Sequence, residues 1–171
     1  MHDPEAIPGP QNPFALLGLE AAYDLDPRAL ERRWLQRSAK LHPDRVGDDA
    51  EAARELARVN RAKATLSDPE SRANALLSLL GGPAKEDDKS LPDGFLMEMF
   101  ELRDEHASGD DETRSRLEAW GEQRRAEHER AIASMFESLS DPPSEHELRA
   151  IRLELNAWRY IERFLADPDL V

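Results

Sequence analysis

The chain has 171 residues, a net charge of −13, 39% apolar and 35% charged residues, and no cysteine. The charge excludes binding driven by counterion release from a nucleic acid backbone and makes an anionic membrane surface unattractive, while the missing cysteines exclude disulfides and thiolate chemistry. Few aromatics, few glycines and no strand-like alternation fit long, charge-laced helices that bury one stripe each, so the expectation is an all-α protein of one or two small domains. No apolar run approaches a membrane span and the N-terminus lacks a basic-then-apolar signal pattern, so cytoplasm is the expected compartment.

Residues 1–13 hold four prolines and no periodicity, and are expected to form a disordered arm. Phe14-Ala15-Leu16-Leu17-Gly18-Leu19 reads as a short apolar helix ended by glycine, too short to stand without packing on the helices after it. A second helix starts at Asp26, the N-cap, with Pro27 at its first position. Leu30, Trp34 and Leu41 share one face. Arg37 interrupts that face and is expected at its edge, reaching for a carboxylate of the next helix. Arg28, Arg32, Arg33 and Lys40 spread over the remaining surface, a local positive face in an acidic chain.

His42-Pro43-Asp44 comes next, then an acidic turn, then an alanine-rich helix with Ala52, Leu56, Val59, Ala62 and Leu66 on one face. The pattern predicts two helices folded back on each other with His-Pro-Asp at the exposed bend. Ser67-Asp68-Pro69 closes the third helix and opens a fourth, which runs to Leu80 before Gly81-Gly82-Pro83. Residues 83–93 are polar and read as a linker.

Three more helices are expected beyond it: about 93–107, about 111–139, and one capped at Ser144 with Glu147 completing a capping box, continuing to about Ala166. Short connections make them an antiparallel bundle over 94–168. In the first, Phe95, Met99 and Leu102 form one stripe, whereas Leu96, Met97 and Phe100 point elsewhere, edged by Glu101 and Asp104. A small bundle cannot easily bury both faces, so the second patch suggests a partner site. In the last helix Leu148, Ile151, Leu155 and Trp158 make the core stripe, with Leu153, Tyr160 and Phe164 roughly opposite. The middle helix brings Leu117, Trp120, His128, Ile132, Met135 and Leu139 near one face.

The histidines have no ligand spacing, so His106 and His128 read as structural, and neither a metal nor a cofactor is expected. A hydrolytic site built on His42 and Asp44 is the weaker alternative, because proline between them fixes a turn and no nucleophile is indicated.

With these residues in view, the first eighty positions, 14–82 as a domain, resemble a J-domain. The chain from Phe14 to about Leu165 resembles the HscB type of J-domain co-chaperone, which serves iron–sulfur cluster assembly. The match rests on His42-Pro43-Asp44, on Arg72-Ala73-Asn74-Ala75-Leu76-Leu77, and on Phe95 through Arg103. The resemblance implies an adaptor rather than an enzyme. It would dock through Arg28, Arg32, Arg33, Lys40 and the loop His42, Pro43, Asp44 onto an ATPase chaperone of the HscA or DnaK type. Leu96, Met97, Phe100, Glu101, Asp104 and Tyr160 would bind the scaffold protein IscU. The expected state is a monomer; a different client, or a dimerising bundle, is the alternative. Lys63 stands where J-domains commonly place an aromatic and Arg37 where they commonly place leucine. The cysteine-containing N-terminal extension of eukaryotic relatives is missing, which points to a bacterial form.

Overall fold

The computed structural model describes residues 12–42, 47 and 49–167, and all of their regular structure is helical. Most of the expected N-terminal arm, together with Pro43 and Asp44, lies outside the described residues. The chain divides into two compact units between Ala75 and Leu76.

In the first unit, α1 (Pro13–Leu17) is capped by the Asn12 side chain, which accepts from the backbone N–H groups of Phe14 and Ala15, and it ends at Gly18 with φ 65°. Gly18 and Leu19 donate back to Ala15 and Phe14, a closure that needs the left-handed conformation glycine supplies. Helix α2 (Pro27–Lys40) begins where the sequence predicts: Asp26 Oδ1 accepts from Arg28 N at 2.9 Å and Pro27 fills the first position. Helix α3 (Ala50–Ser67) is capped by Asp49, whose carboxylate accepts from Glu51 and Ala52. Both α1 and α2 pack on α3. Phe14, Leu17, Tyr23, Leu30, Ala52, Val59, Ala62 and Leu66 are buried, and Leu56 is half-buried.

Two residues that break the pattern find different solutions. Arg37 is exposed, on the solvent side of the stripe made by Leu30 and Leu41. Lys63 stays in the α2–α3 seam: its Nζ lies 3.6 Å from the centroid of the Trp34 ring and 2.6 Å from Glu31 Oε2. The Trp34 indole N–H donates to Asn60 Oδ1 at 2.8 Å. An amine over an aromatic face thus occupies the place of a ring-on-ring contact.

Helix α4 (Pro69–Leu79) starts at once after α3 and spans the division between the units. Its Arg72 guanidinium lies 5.0 Å from the Tyr23 ring centroid and donates to the Leu66 carbonyl at 2.7 Å.

The second unit holds α5 (Phe95–Ser108), α6 (Asp111–Glu137) and α7 (Glu145–Ala166), with α6 and α7 the most extensively packed pair. The capping box at the start of α7 is formed: Ser144 N donates to Glu147 Oε2 at 2.7 Å, and Glu147 N donates back to Ser144 Oγ. Glu147 also accepts from Ser140, and these hydrogen bonds, those of Ser140 first, lower its pKa from 4.5 to about 2. Phe95, Met99, Leu117, Ala157, Ile161 and Phe164 form the core here, with Leu102, Trp120 and Tyr160 packed against it.

Phe164 corrects the single-stripe reading of the last helix. It is fully buried, although it lies across the helix from Leu148 and Leu155. Helix α7 packs against both α5 and α6, so its buried arc is wider than one stripe. Across the α6–α7 seam, Arg125 grips Glu162 through two hydrogen bonds of 2.7 and 2.8 Å, and buried Trp158 donates its indole N–H to the same carboxylate. Residues 83–90 are tied to α7, since Arg152 donates to the Pro83 carbonyl and Asn156 donates to those of Asp88 and Ser90.

Candidate functional site

Two surfaces carry the residues singled out from the sequence, one on each unit. On the first, α2 places Arg28, Arg32, Arg33, Arg37 and Lys40 in solvent. The single carboxylate of α2, Glu31, is occupied by Lys63, and Arg32 lies 3.8 Å from the cap residue Asp26, both largely exposed. Such a pair contributes little and leaves the arginine available to a partner. The helix ends at Leu41, whose N–H is satisfied by the Ser38 carbonyl, and His42 is next, in an exposed position. Its neighbours in the motif, Pro43 and Asp44, lie outside the described residues.

On the second unit, α5 divides its apolar residues as the spacing predicts. Phe95 and Met99 are buried and Leu102 is half-buried. Leu96, Met97 and Phe100 are exposed at 44%, 64% and 40%, a large apolar exposure on barely two turns of helix. Glu101 and Asp104 border this patch in solvent. Tyr160 belongs partly to the core: it is half-buried and meets Phe95 edge-on at 6.0 Å. Arginines frame the aromatics, with Arg103 5.2 Å from the Phe100 ring and Arg163 5.8 Å from that of Tyr160. The sequence pattern alone did not single out these two arginines. Their spacings of three from the aromatics they cover were the available signal.

His106 meets Phe164 edge-on at 6.1 Å, and buried His128 places Nδ1 2.6 Å from Glu154 Oε1. Among the described residues, no group of three or more His, Asp or Glu side chains is arranged to hold a metal ion, and no helix is long and apolar enough to cross a membrane.

Comparison with known proteins respects the same division. Residues 12–75 match the DnaJ domain. A co-chaperone protein HscB homolog of Bordetella petrii is 28% identical over 158 residues, covering 88% of this chain and 89% of that protein. An iron–sulfur cluster co-chaperone protein HscB homolog of Arabidopsis thaliana is 35% identical over 105 residues, 58% of this chain but 42% of the longer plant protein. Among solved structures, human co-chaperone HscB superposes with a TM-score of 0.76 over 99% of this chain and 83% of its own, at 22% identity, a likeness of fold. Chaperone HscB from Vibrio cholerae gives 0.68 over 93% of this chain and 96% of its own, at 25% identity. A DnaJ domain over residues 12–75, together with similarity to HscB co-chaperones along most of the chain, supports an HscB-type J-domain co-chaperone.

Proposed function

We propose that the chain couples an ATPase chaperone of the HscA or DnaK type to an iron–sulfur cluster scaffold protein of the IscU type. Helix α2 and the His42-Pro43-Asp44 loop dock on the chaperone and bias it toward ATP hydrolysis, with Arg28, Arg32, Arg33 and Lys40 supplying the attraction. Leu96, Met97, Phe100, Glu101 and Asp104, with the exposed part of Tyr160, hold the scaffold. The chain performs no bond chemistry of its own. The iron–sulfur assignment draws support from the name of the Arabidopsis relative. What carries the reading is the exposed surface itself: a cationic helix leading into His42 in a chain of net charge −13, and a bare apolar patch on α5. The two surfaces are opposite in kind and suit different partners.

Steady-state ATP hydrolysis by the chaperone tests this directly. Wild type is expected to stimulate it, scaffold protein to raise the stimulation further, and His42→Gln to abolish it. Stimulation indifferent to scaffold would disprove the second half of the proposal. No stimulation by wild type of any chaperone of this type would disprove the first.

A further inference from the structure

Among the described residues of the first unit, Leu35 is the one exposed large apolar side chain, at 51%. The fold gives no reason for it. Leu30 is buried and Trp34 half-buried on the inward face of α2, and Leu35 points away from both. A single exposed leucine ordinarily needs no explanation, but this one has a specific setting. Arg28 and Arg32 precede it by seven and three residues and Ala39 lies four beyond it, so at helical spacing the four lie along one line. All four are exposed. The result is a small apolar strip, Leu35 and Ala39, with guanidinium groups at one end.

Resting on the reading of α2 as the chaperone-docking helix, we propose that Leu35 is the apolar anchor of that interface and determines which chaperone the chain accepts. The occupant is the chaperone's ATPase domain, presenting a shallow apolar depression rimmed by carboxylates. Charge selects the occupant: α2 carries five cations, and its one carboxylate is held by Lys63. Position supports it too, because Leu35 lies two turns before His42, which adjoins the end of the same helix. In such an arrangement the cations steer encounter and are screened by salt. The apolar centre, dried by its charged rim, holds the complex once formed. A chaperone with a carboxylate or lysine in place of the depression would be refused by desolvation at Leu35.

The test measures the concentration of full-length protein giving half-maximal stimulation of the chaperone's ATPase, at low and at physiological ionic strength. Leu35→Gln keeps helix propensity and removes the apolar contact. Burying the exposed half of a leucine implies a roughly tenfold rise in that concentration, with maximal stimulation unchanged. The salt dependence should stay that of wild type, whereas Arg32→Gln should reduce it. Leu79→Gln, at another exposed leucine outside α2, should change nothing. Equal half-maximal concentrations for wild type and Leu35→Gln would overturn the proposal, as would an equal loss in Leu79→Gln. Sedimentation showing that wild type self-associates and Leu35→Gln does not would overturn it in favour of a second copy as occupant. Failure of wild type to stimulate at all would instead remove the docking reading beneath it, and the proposal with it.

Discussion

Replacing Lys63 with methionine preserves length and approximate volume and removes only the charge, which isolates what the amine contributes to the α2–α3 hairpin. The Nζ atom is 2.6 Å from Glu31 Oε2 and 3.6 Å from the Trp34 centroid. Side-chain exposures of 28% for Lys63 and 48% for Glu31 put both interactions in partly solvated surroundings. The ion pair is then worth about 0.2–1 kcal/mol and the cation–π contact about 0.5–1 kcal/mol. Methionine regains part of the second through its sulfur–aromatic contact, about 0.3–1.5 kcal/mol. The expected net loss is about 0.5 kcal/mol. Urea unfolding of wild type, Lys63→Met, Glu31→Gln and the double variant supplies the measurement, with a coupling energy of about 0.5 kcal/mol expected for the pair. That coupling should shrink in high salt while the Trp34 contribution persists. Lys63→Met as stable as wild type, with no coupling to Glu31, would refute the argument. The hairpin would then rest on Leu30, Val59, Ala62 and Leu66 alone.

Substituting Met97 and Phe100 together with serine should weaken scaffold binding by at least about tenfold, read by titration calorimetry, because both exposed apolar surfaces are withdrawn; the protein should remain a folded monomer, and a dimer dissociated by the change would reassign the patch. Glu162→Ala removes both hydrogen bonds to Arg125 and strands the buried Trp158 indole N–H, for an expected cost of about 2 kcal/mol in urea unfolding. Acid stability should depend on Glu147, whose folded pKa of about 2 lies below its ordinary 4.5. A depressed carboxylate pKa contributes stability that is complete above 4.5 and lost as pH falls through about 2. Glu147→Gln should therefore be less stable than wild type at neutral pH, with the difference closing across that window.

The helices were legible in the sequence because their ends are marked by residues with local reasons to be there. Asp26 with Pro27 and Ser144 with Glu147 satisfy amide groups within three residues, and such contacts require no knowledge of the tertiary fold. The division of α5 into a buried stripe and a bare one was legible for a similar reason, since both arise from one period. Phe164 was not. Its burial depends on α7 having neighbours on two sides, a fact about packing that a single-helix projection cannot contain. The place of Lys63 was not legible either, for another reason. Its residue type argues for solvent, and only the placement of Trp34 and Glu31 across the seam makes the inward position favourable. Leu35 was overlooked because a lone leucine among arginines does not alter a helical pattern; its meaning lies in its exposure.

The opposition between the two surfaces has a consequence for how they could share one chain. On the proposed reading, each partner interface is small, and neither need be tight, because joining them in one molecule makes the second encounter effectively intramolecular. Such economy carries a risk of cross-binding, in which the chaperone takes the scaffold's place or the reverse. Charge limits that risk. A partner with carboxylates suited to Arg28, Arg32 and Arg33 meets Glu101 and Asp104 at the edge of the α5 patch, where Arg103, 3.6 Å from the exposed Asp104, offsets only part of their charge, and like charges at a desolvating rim oppose docking. A partner with basic groups suited to those acids is repelled by α2. Discrimination would then rest on a handful of exposed side chains rather than on shape. Charge reversal at Glu101 and Asp104 should thus do more than weaken the scaffold: it should admit the chaperone to the α5 patch.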